Sequence, residues 1–199
     1  NFLLENDEPI WINNQDSLDV IKFYLLNYQD DLEMNYSDYL YNKIQLIKKQ
    51  IKNNHIFKID RLLESQIILK NNFKHNYKIL DIHLPGSFDK NKKVYLNINN
   101  FSDNWHIQKQ NFFKKKYSKT NFDLIIMENF IPGEYLFDLY RPKNSIFNKS
   151  FDNIVFSRGW RKYIQEMMID NIPDYDHNYK LFQYHHLVKS IINYIVDYE

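Results

Sequence analysis

Apolar positions along the chain change period as the sequence is read, and each period predicts a different element. The first sixteen residues, with Pro9 and several Asn, show no regular period. Asp16 or Ser17 can cap a helix over 17–28 that places Leu18, Ile21, Leu25 and Tyr28 on one face. Ser37 or Asp38 can start a second helix, in which Leu40, Ile44, Ile47 and Ile51 follow a four-three-four spacing and form an apolar stripe. Ile59, Leu62, Leu63 and Ile67 predict a third helix over 59–70. Residues 1–72 therefore read as a helical N-terminal region.

From residue 73 the period shortens to two. The segment 77–84, with Ile79, Leu80, Ile82 and Leu84, reads as a strand closed by a Pro85-Gly86 turn. Val94, Leu96 and Ile98 alternate with Tyr95, Asn97 and Asn99, which predicts a second strand over 94–99. The continuous apolar run 122–127 reads as a third strand, buried on both faces and closed by Pro132-Gly133. A helix over 103–117 capped by Ser102, a short helix over 134–140, a loop at Pro142 and a strand over 151–156 are expected around these. Helices over 159–169 and 179–197 finish the chain, the last with Leu181, Tyr184, Val188, Ile191 and Ile195 on one face. The expected fold class is α+β, or mixed α/β: a helical N-terminal part, a small central sheet and a helical C-terminus. Residues 73–199 form the α/β region, and both regions pack as one compact unit.

Composition narrows the function. The 199 residues are 44% hydrophobic with a net charge of +1, so a real core is available and disorder is a poor reading. No run approaches the ~18 apolar residues needed to span a bilayer. No basic start and apolar run mark a signal peptide, and residue 1 is Asn where an intact chain begins with Met, as in a fragment or processed form. The absence of Cys excludes a disulfide framework, thiolate catalysis and Cys-based metal sites. Ala is absent too, Thr120 is the only Thr, and Asn, Ile, Lys, Tyr and Phe exceed half the chain. These are residues of A- and T-rich codons. The composition thus points to a very AT-rich gene, as in organelles, some viruses, linear plasmids and some parasites, and the Lys and Asn content is no nucleic-acid signal in itself.

Five groups of residues can carry chemistry. The stretch 106–119 holds Lys109, Lys114, Lys115, Lys116 and Lys119 with Phe112, Phe113 and Tyr117 and no acid. Such lysines can neutralise phosphates, and Phe112 or Tyr117 can stack on unpaired bases, so a rim contact with RNA is expected there. Lys90, Lys92 and Lys93 can extend the patch. Among the few arginines, Arg158 and Arg161 flank Trp160, a combination typical of interface anchors; Arg141 is another. Asp174, Asp176 and His177, followed by His185 and His186, carry metal-ligand chemistry, although adjacent helical histidines diverge by about 100° and no metal is expected. Glu5 or Glu8 with His185 or His186 would supply a general acid–base pair of the kind that cleaves RNA at a ribose hydroxyl.

The fifth group is Lys78-Ile-Leu-Asp81-Ile-His83-Leu-Pro-Gly86-Ser87 with the later Asn121-Phe-Asp123-Leu-Ile-Ile-Met. Over about 50 residues this order of strand, turn and strand resembles class I S-adenosylmethionine-dependent methyltransferases. That resemblance implies a cofactor held at a glycine-rich turn. Gly86 alone stands where several glycines belong, His83 and Leu84 crowd the place, and Asn97 and Asn99 stand where an acidic residue would hold the ribose.

No phosphate loop, nucleophile elbow or metal quartet is present, and no cofactor is expected. The aromatic load is high: 16 Tyr, 15 Phe and 3 Trp. A globule of this size has difficulty hiding them all. The sequence therefore favours a non-catalytic structural or adaptor subunit of a large assembly, partnered by other protein subunits and touching RNA at most through the basic patch. The expected case is a peripheral ribosomal protein of the mitochondrial matrix or another organelle. The alternative is an RNA-acting enzyme, either a degenerate methyltransferase-like fold or an RNA-cleaving toxin.

Overall fold

A computed structural model describes residues 35–56, 67–70, 80–85, 93–98, 105–140 and 154–196, together with Leu4, Glu5, Glu8, Pro9, Asp19, Ile21, Tyr24 and Leu32. The class is α+β: helices dominate both halves and a small sheet lies between them in sequence. A short antiparallel pair, β1 (Leu4–Glu5) and β2 (Glu8–Pro9), opens the chain. Asp19, Ile21 and Tyr24 are helical, as the first apolar stripe predicts, while its other positions lie outside the described residues.

Helix α1 (Tyr36–Asn53) begins at Asn35, whose side-chain oxygen accepts a hydrogen bond from the Ser37 N–H at 2.8 Å. This cap lies two residues before the expected one. The stripe Leu40, Ile44, Ile47 and Ile51 is fully buried, as its spacing predicts. The helix stops where His55 enters the left-handed region at φ 51°.

The sheet comprises β3 (Ile67–Lys70), β4 (Leu80–His83) and β5 (Val94–Ile98) in the order β3-β5-β4. Strand β5 is central, parallel to β3 with Ile67 beside Val94, and antiparallel to β4 with Ile98 beside Leu80. Val94, Leu96 and Ile98 all face the core, which the alternation requires. Strand β4 falls within the expected 77–84, whose first three residues lie outside the described set. Strand β3 corrects the expected helix over 59–70 at its C-terminal end. Its run Ile67-Ile68-Leu69 is short and opens with two β-branched residues, and it gains a ladder along β5 that a last helical turn would forgo. Residues 59–66 lie outside the described set.

The largest correction concerns 122–127. These residues belong to helix α3 (Lys119–Asn129), not to a strand. Phe122, Asp123, Leu124, Ile126 and Met127 are buried on all sides, because α1, α5 and α6 surround the helix. A helix enclosed in this way is apolar all round and carries no 3.6-residue stripe, so its pattern matches that of a buried strand. The central sheet is therefore smaller on that side and gains β3 instead.

Helix α2 (Ile107–Lys116) starts inside the expected 103–117, with His106 as its cap; Ser102 lies outside the described residues. Helix α4 (Glu134–Tyr140) matches its expectation. Helix α5 (Ile154–Asn171) begins inside the segment 151–156 that the pattern assigns to a strand. Val155 and Phe156 favour strands by type, but they are exposed on the first turn of α5 and not in any ladder, so helix continuity prevails. Helix α6 (His177–Val196) closes the described chain. One apolar cluster joins α1, β5 and α2–α6. Among the described residues no helix is long and apolar enough to cross a membrane.

Candidate functional site

Polar groups converge at the centre of the helical layer, around a residue that the sequence pattern assigns to a strand. Asp123 is fully buried on α3. Its Oδ2 accepts from Lys43 Nζ at 2.5 Å and from the Tyr179 hydroxyl at 2.6 Å, and its Oδ1 accepts from the Tyr39 hydroxyl at 2.7 Å. The Lys43 ammonium also lies 5.0 Å from the centre of the Tyr175 ring. Tyr175 donates to Gln50 Oε1 at 3.0 Å, and Gln50 Nε2 donates to Asp174 at 2.7 Å. Burial, and then the charge of Asp123, push the phenols of Tyr175 and Tyr179 well above the ordinary tyrosine range. The network braces α1, α3 and α6 by matching donors to acceptors at each point.

None of the sequence motifs names this network, yet a signal for it is present. Tyr36, Lys43 and Gln50 are seven residues apart, so they share one side of α1 beside the apolar stripe. All three are buried and hydrogen-bonded across the core, Tyr36 to the Tyr117 carbonyl at 2.9 Å.

A second constellation forms at the corner between α3 and α4. The chain passes through a cis Ile131–Pro132 bond into Gly133, whose N–H donates to the Met127 carbonyl at 2.9 Å. A Cβ on Gly133 would collide with the backbone carbonyl of Glu128, so no other residue fits without backbone movement. Helix α5 lies against this corner. Trp160 Nε1 donates to the Gly133 carbonyl at 3.1 Å, Arg161 pairs with Glu134 at 3.1 Å, and Lys162 pairs with Glu128 at 2.7 Å. Of the expected interface residues, Trp160 and Arg161 thus turn inward to the protein's own backbone and carboxylate, and Arg158 is exposed. His186 on α6 is half-buried beside the same pair. Burial, helped by the Lys162 charge, lowers its pKa from 6.5 to about 4. His185 is also lowered, by burial and Lys189.

The basic stretch divides in two. Lys114, Lys115 and Lys116 form the exposed last turn of α2, where cations suit the helix dipole, and Lys119 is exposed at the start of α3. Phe112 is 61% exposed. Tyr117 is buried against Phe113 and Phe122, which corrects its expected role as a stacking platform. The step from Phe112 to Tyr117 rotates the tyrosine inward, to cover the core at the α2–α3 junction. Lys109 lies 4.0 Å above the Trp105 ring. Lys93 is partly buried at the start of the sheet region; Lys90, Lys92 and Arg141 lie outside the described residues.

The remaining motifs separate. Asp81 and His83 pair on β4 at 2.8 Å, with His83 exposed. Because Asp123 sits in a helix, the strand-turn-strand order behind the methyltransferase resemblance is not formed. Asp176 caps α6 by accepting from the Asn178 N–H at 2.9 Å, and Asp174 is held by Gln50. Among the described residues no three His, Asp or Glu side chains gather as metal ligands. A cavity of about 320 Å³ opens at the α5–α6 turn between Ile169 and Lys180. Its carboxylates are engaged, Asp170 with Lys180 at 2.6 Å and Asp176 with the α6 start.

Helix α6 itself changes character midway. Tyr179, Phe182 and Gln183 are buried, whereas Leu187, Val188, Ile191, Ile192, Ile195 and Val196 are 40–67% exposed. At about 100° per residue these six fall on one side of the helix, and Lys189 and Asn193 fall outside that arc.

No protein-family model matches the chain, and no curated protein matches it in sequence. In structure it is similar to a protein from Shewanella oneidensis described as a lipoprotein of unknown function, with a TM-score of 0.75 and 18% identity. The match covers 94% of this chain and 33% of that one, so the chain spans about a third of that protein's length, and the likeness is one of fold.

Proposed function

We propose that this chain is a non-catalytic structural or adaptor subunit of a larger assembly, with its C-terminal helix as a docking face. The observation that carries this reading is the face of α6, six aliphatic side chains left 40–67% exposed in one stripe. Contiguous apolar patches of several hundred Å² mark interaction surfaces. Support also comes from the polar clusters, whose acids and bases are matched to one another: Asp123 with Lys43, Glu128 with Lys162 and Glu134 with Arg161. An RNA-acting enzyme has less support: Asp81 and His83 pair with each other on β4, and the strand-turn-strand order of the methyltransferase resemblance is not formed.

The particular assembly we propose is an organellar ribosome, most simply a mitochondrial one, in which this chain is peripheral. The AT-rich composition favours an organelle-encoded gene, and the exposed lysines of α2 suit a phosphate contact at the rim. Sedimentation of the endogenous protein with and without RNase tests this. The expected result is migration with a megadalton particle that RNase disperses. A large particle indifferent to RNase would keep the assembly and remove the ribosome; a lone 24.5 kDa species would refute the docking reading.

A further inference from the structure

We propose that the occupant of the α6 face is a second copy of this chain, paired through antiparallel α6 helices. This rests on reading the face as a docking surface and names what covers it. The first argument is spacing. Val188, Ile191 and Ile195 continue the three-four alternation of a helix-pairing seam, and Leu187, Ile192 and Val196 widen it on either side. The second is area. Six aliphatic side chains at about half exposure offer roughly 500 Å² on each copy, so the pair can remove up to roughly 1,000 Å² from water, the lower bound of a specific interface and one that fits modest affinity.

The third argument is charge. Between Leu187 and Val196 the only charged residue is Lys189, which lies outside the apolar arc, so self-pairing buries no charge. An antiparallel pair centred between Ile191 and Ile192 sets Val188 beside Ile195 at the middle of the seam and brings each Ile191 next to its own mate near the axis, aliphatic against aliphatic. It also opposes the helix dipoles and separates the two Lys189 ammoniums, which a parallel pair would hold at one level. The fourth is access. Gln183 is the last buried described residue of α6, and residues 184–196 rise roughly 20 Å beyond it with Leu187, Val188, Ile191, Ile192, Ile195 and Val196 exposed. The axis of such a pair is a two-fold, which closes the α6 contact at two copies and leaves other surfaces of each copy to further partners.

The chain has no Cys, so single cysteines report the pairing without background. Sedimentation equilibrium of the purified chain from low to high micromolar concentration should give twice 24.5 kDa at the upper end. Ile191→Cys should form an intermolecular disulfide under mild oxidation, being next to the axis, whereas Val196→Cys, far from it, should not. Ile191→Glu should weaken dimerisation at least tenfold with unchanged far-UV circular dichroism, since position 191 is exposed in the single chain. A monomer at all concentrations would overturn the proposal, as would a dimer unmoved by Ile191→Glu or equal cross-linking at 191 and 196. A monomer that instead binds neutral lipid vesicles through α6 would also overturn it. None of these results touches the sedimentation of the endogenous protein, whose failure alone removes the docking reading.

Discussion

Asp123→Asn is the sharpest test of the buried network. The carboxylate is fully buried and accepts from Lys43, Tyr39 and Tyr179. Asparagine has nearly the same volume, so no cavity forms, but it carries no charge and turns a donor toward atoms that are themselves donors. Lys43, 8% exposed, is left as an ammonium without its counter-ion. Removing one partner from a buried pair costs about 3–5 kcal/mol. Against a total stability of about 5–15 kcal/mol this is a large fraction. With a urea slope of about 2 kcal/mol/M, the midpoint should fall by about 2 M. Lys43→Met should cost less, about 1–3 kcal/mol, because Asp123 keeps two hydroxyl donors. The double variant Lys43→Met/Asp123→Asn removes both charges, so its cost should lie below the sum of the singles by about 1–3 kcal/mol. Urea unfolding of the four proteins closes the cycle. An Asp123→Asn cost under about 1 kcal/mol, or simple additivity, would refute the view that this pair braces α1 to α3.

Three further outcomes follow from the same geometry. His186 is held neutral by burial with a pKa of about 4 against an ordinary 6.5, so the unfolded chain takes up its proton first as pH falls. Stability should then decline by about 3 kcal/mol between pH 6.5 and 4, and His186→Asn should flatten that slope; an unchanged slope would reject the assignment. Gly133→Ala forces a methyl group into the Glu128 carbonyl and should lower stability by about 2–4 kcal/mol by thermal melting, so an unaltered melting temperature would show that the corner relaxes freely. Replacing Lys114, Lys115 and Lys116 with Gln should weaken RNA association and lower its log–log salt slope by about 0.7–0.9 for each phosphate no longer neutralised; unaltered binding would remove α2 from the RNA reading.

The legible parts of the fold are those where one face is buried and the other wet. The stripe of α1 and the alternation of β5 both have that form, and both are placed by period alone. Pro132-Gly133 is legible as a turn, although not as a corner that α5 covers. The illegible parts are those where burial is complete or partial on all sides. Helix α3 is enclosed by α1, α5 and α6, so Phe122 to Met127 lose the polar positions that would reveal a helix. Strand β3 fails for the opposite reason: four residues are too few to show any period, and its pairing with β5 is non-local.

The same physics governs how far the sites are legible. Lys114–Lys116 are recognisable because they are exposed and adjacent, and the structure leaves them so. Tyr117 is ambiguous in sequence because an aromatic beside lysines can face either way, and the core at the α2–α3 junction takes it. Asp123 reads as an interruption in a strand, when its meaning depends on Lys43, 80 residues away, and on Tyr179, 56 residues away. A lone charge in an apolar run has two readings: an exposed position, or a buried one with a partner elsewhere. The heptad spacing of Tyr36, Lys43 and Gln50 puts candidate partners on one flank of α1, and only their burial in the structure decides between the two readings. In α6 the outcome reverses. The stripe Leu181, Tyr184, Val188, Ile191 and Ile195 is legible, and a stripe normally means core, yet α6 is buried through Tyr179, Phe182 and Gln183 on its opposite side, while Tyr184, Val188, Ile191 and Ile195 are exposed. The proposed docking reading rests on that reversal: the side of α6 away from Tyr179 and Phe182 carries six exposed aliphatic side chains.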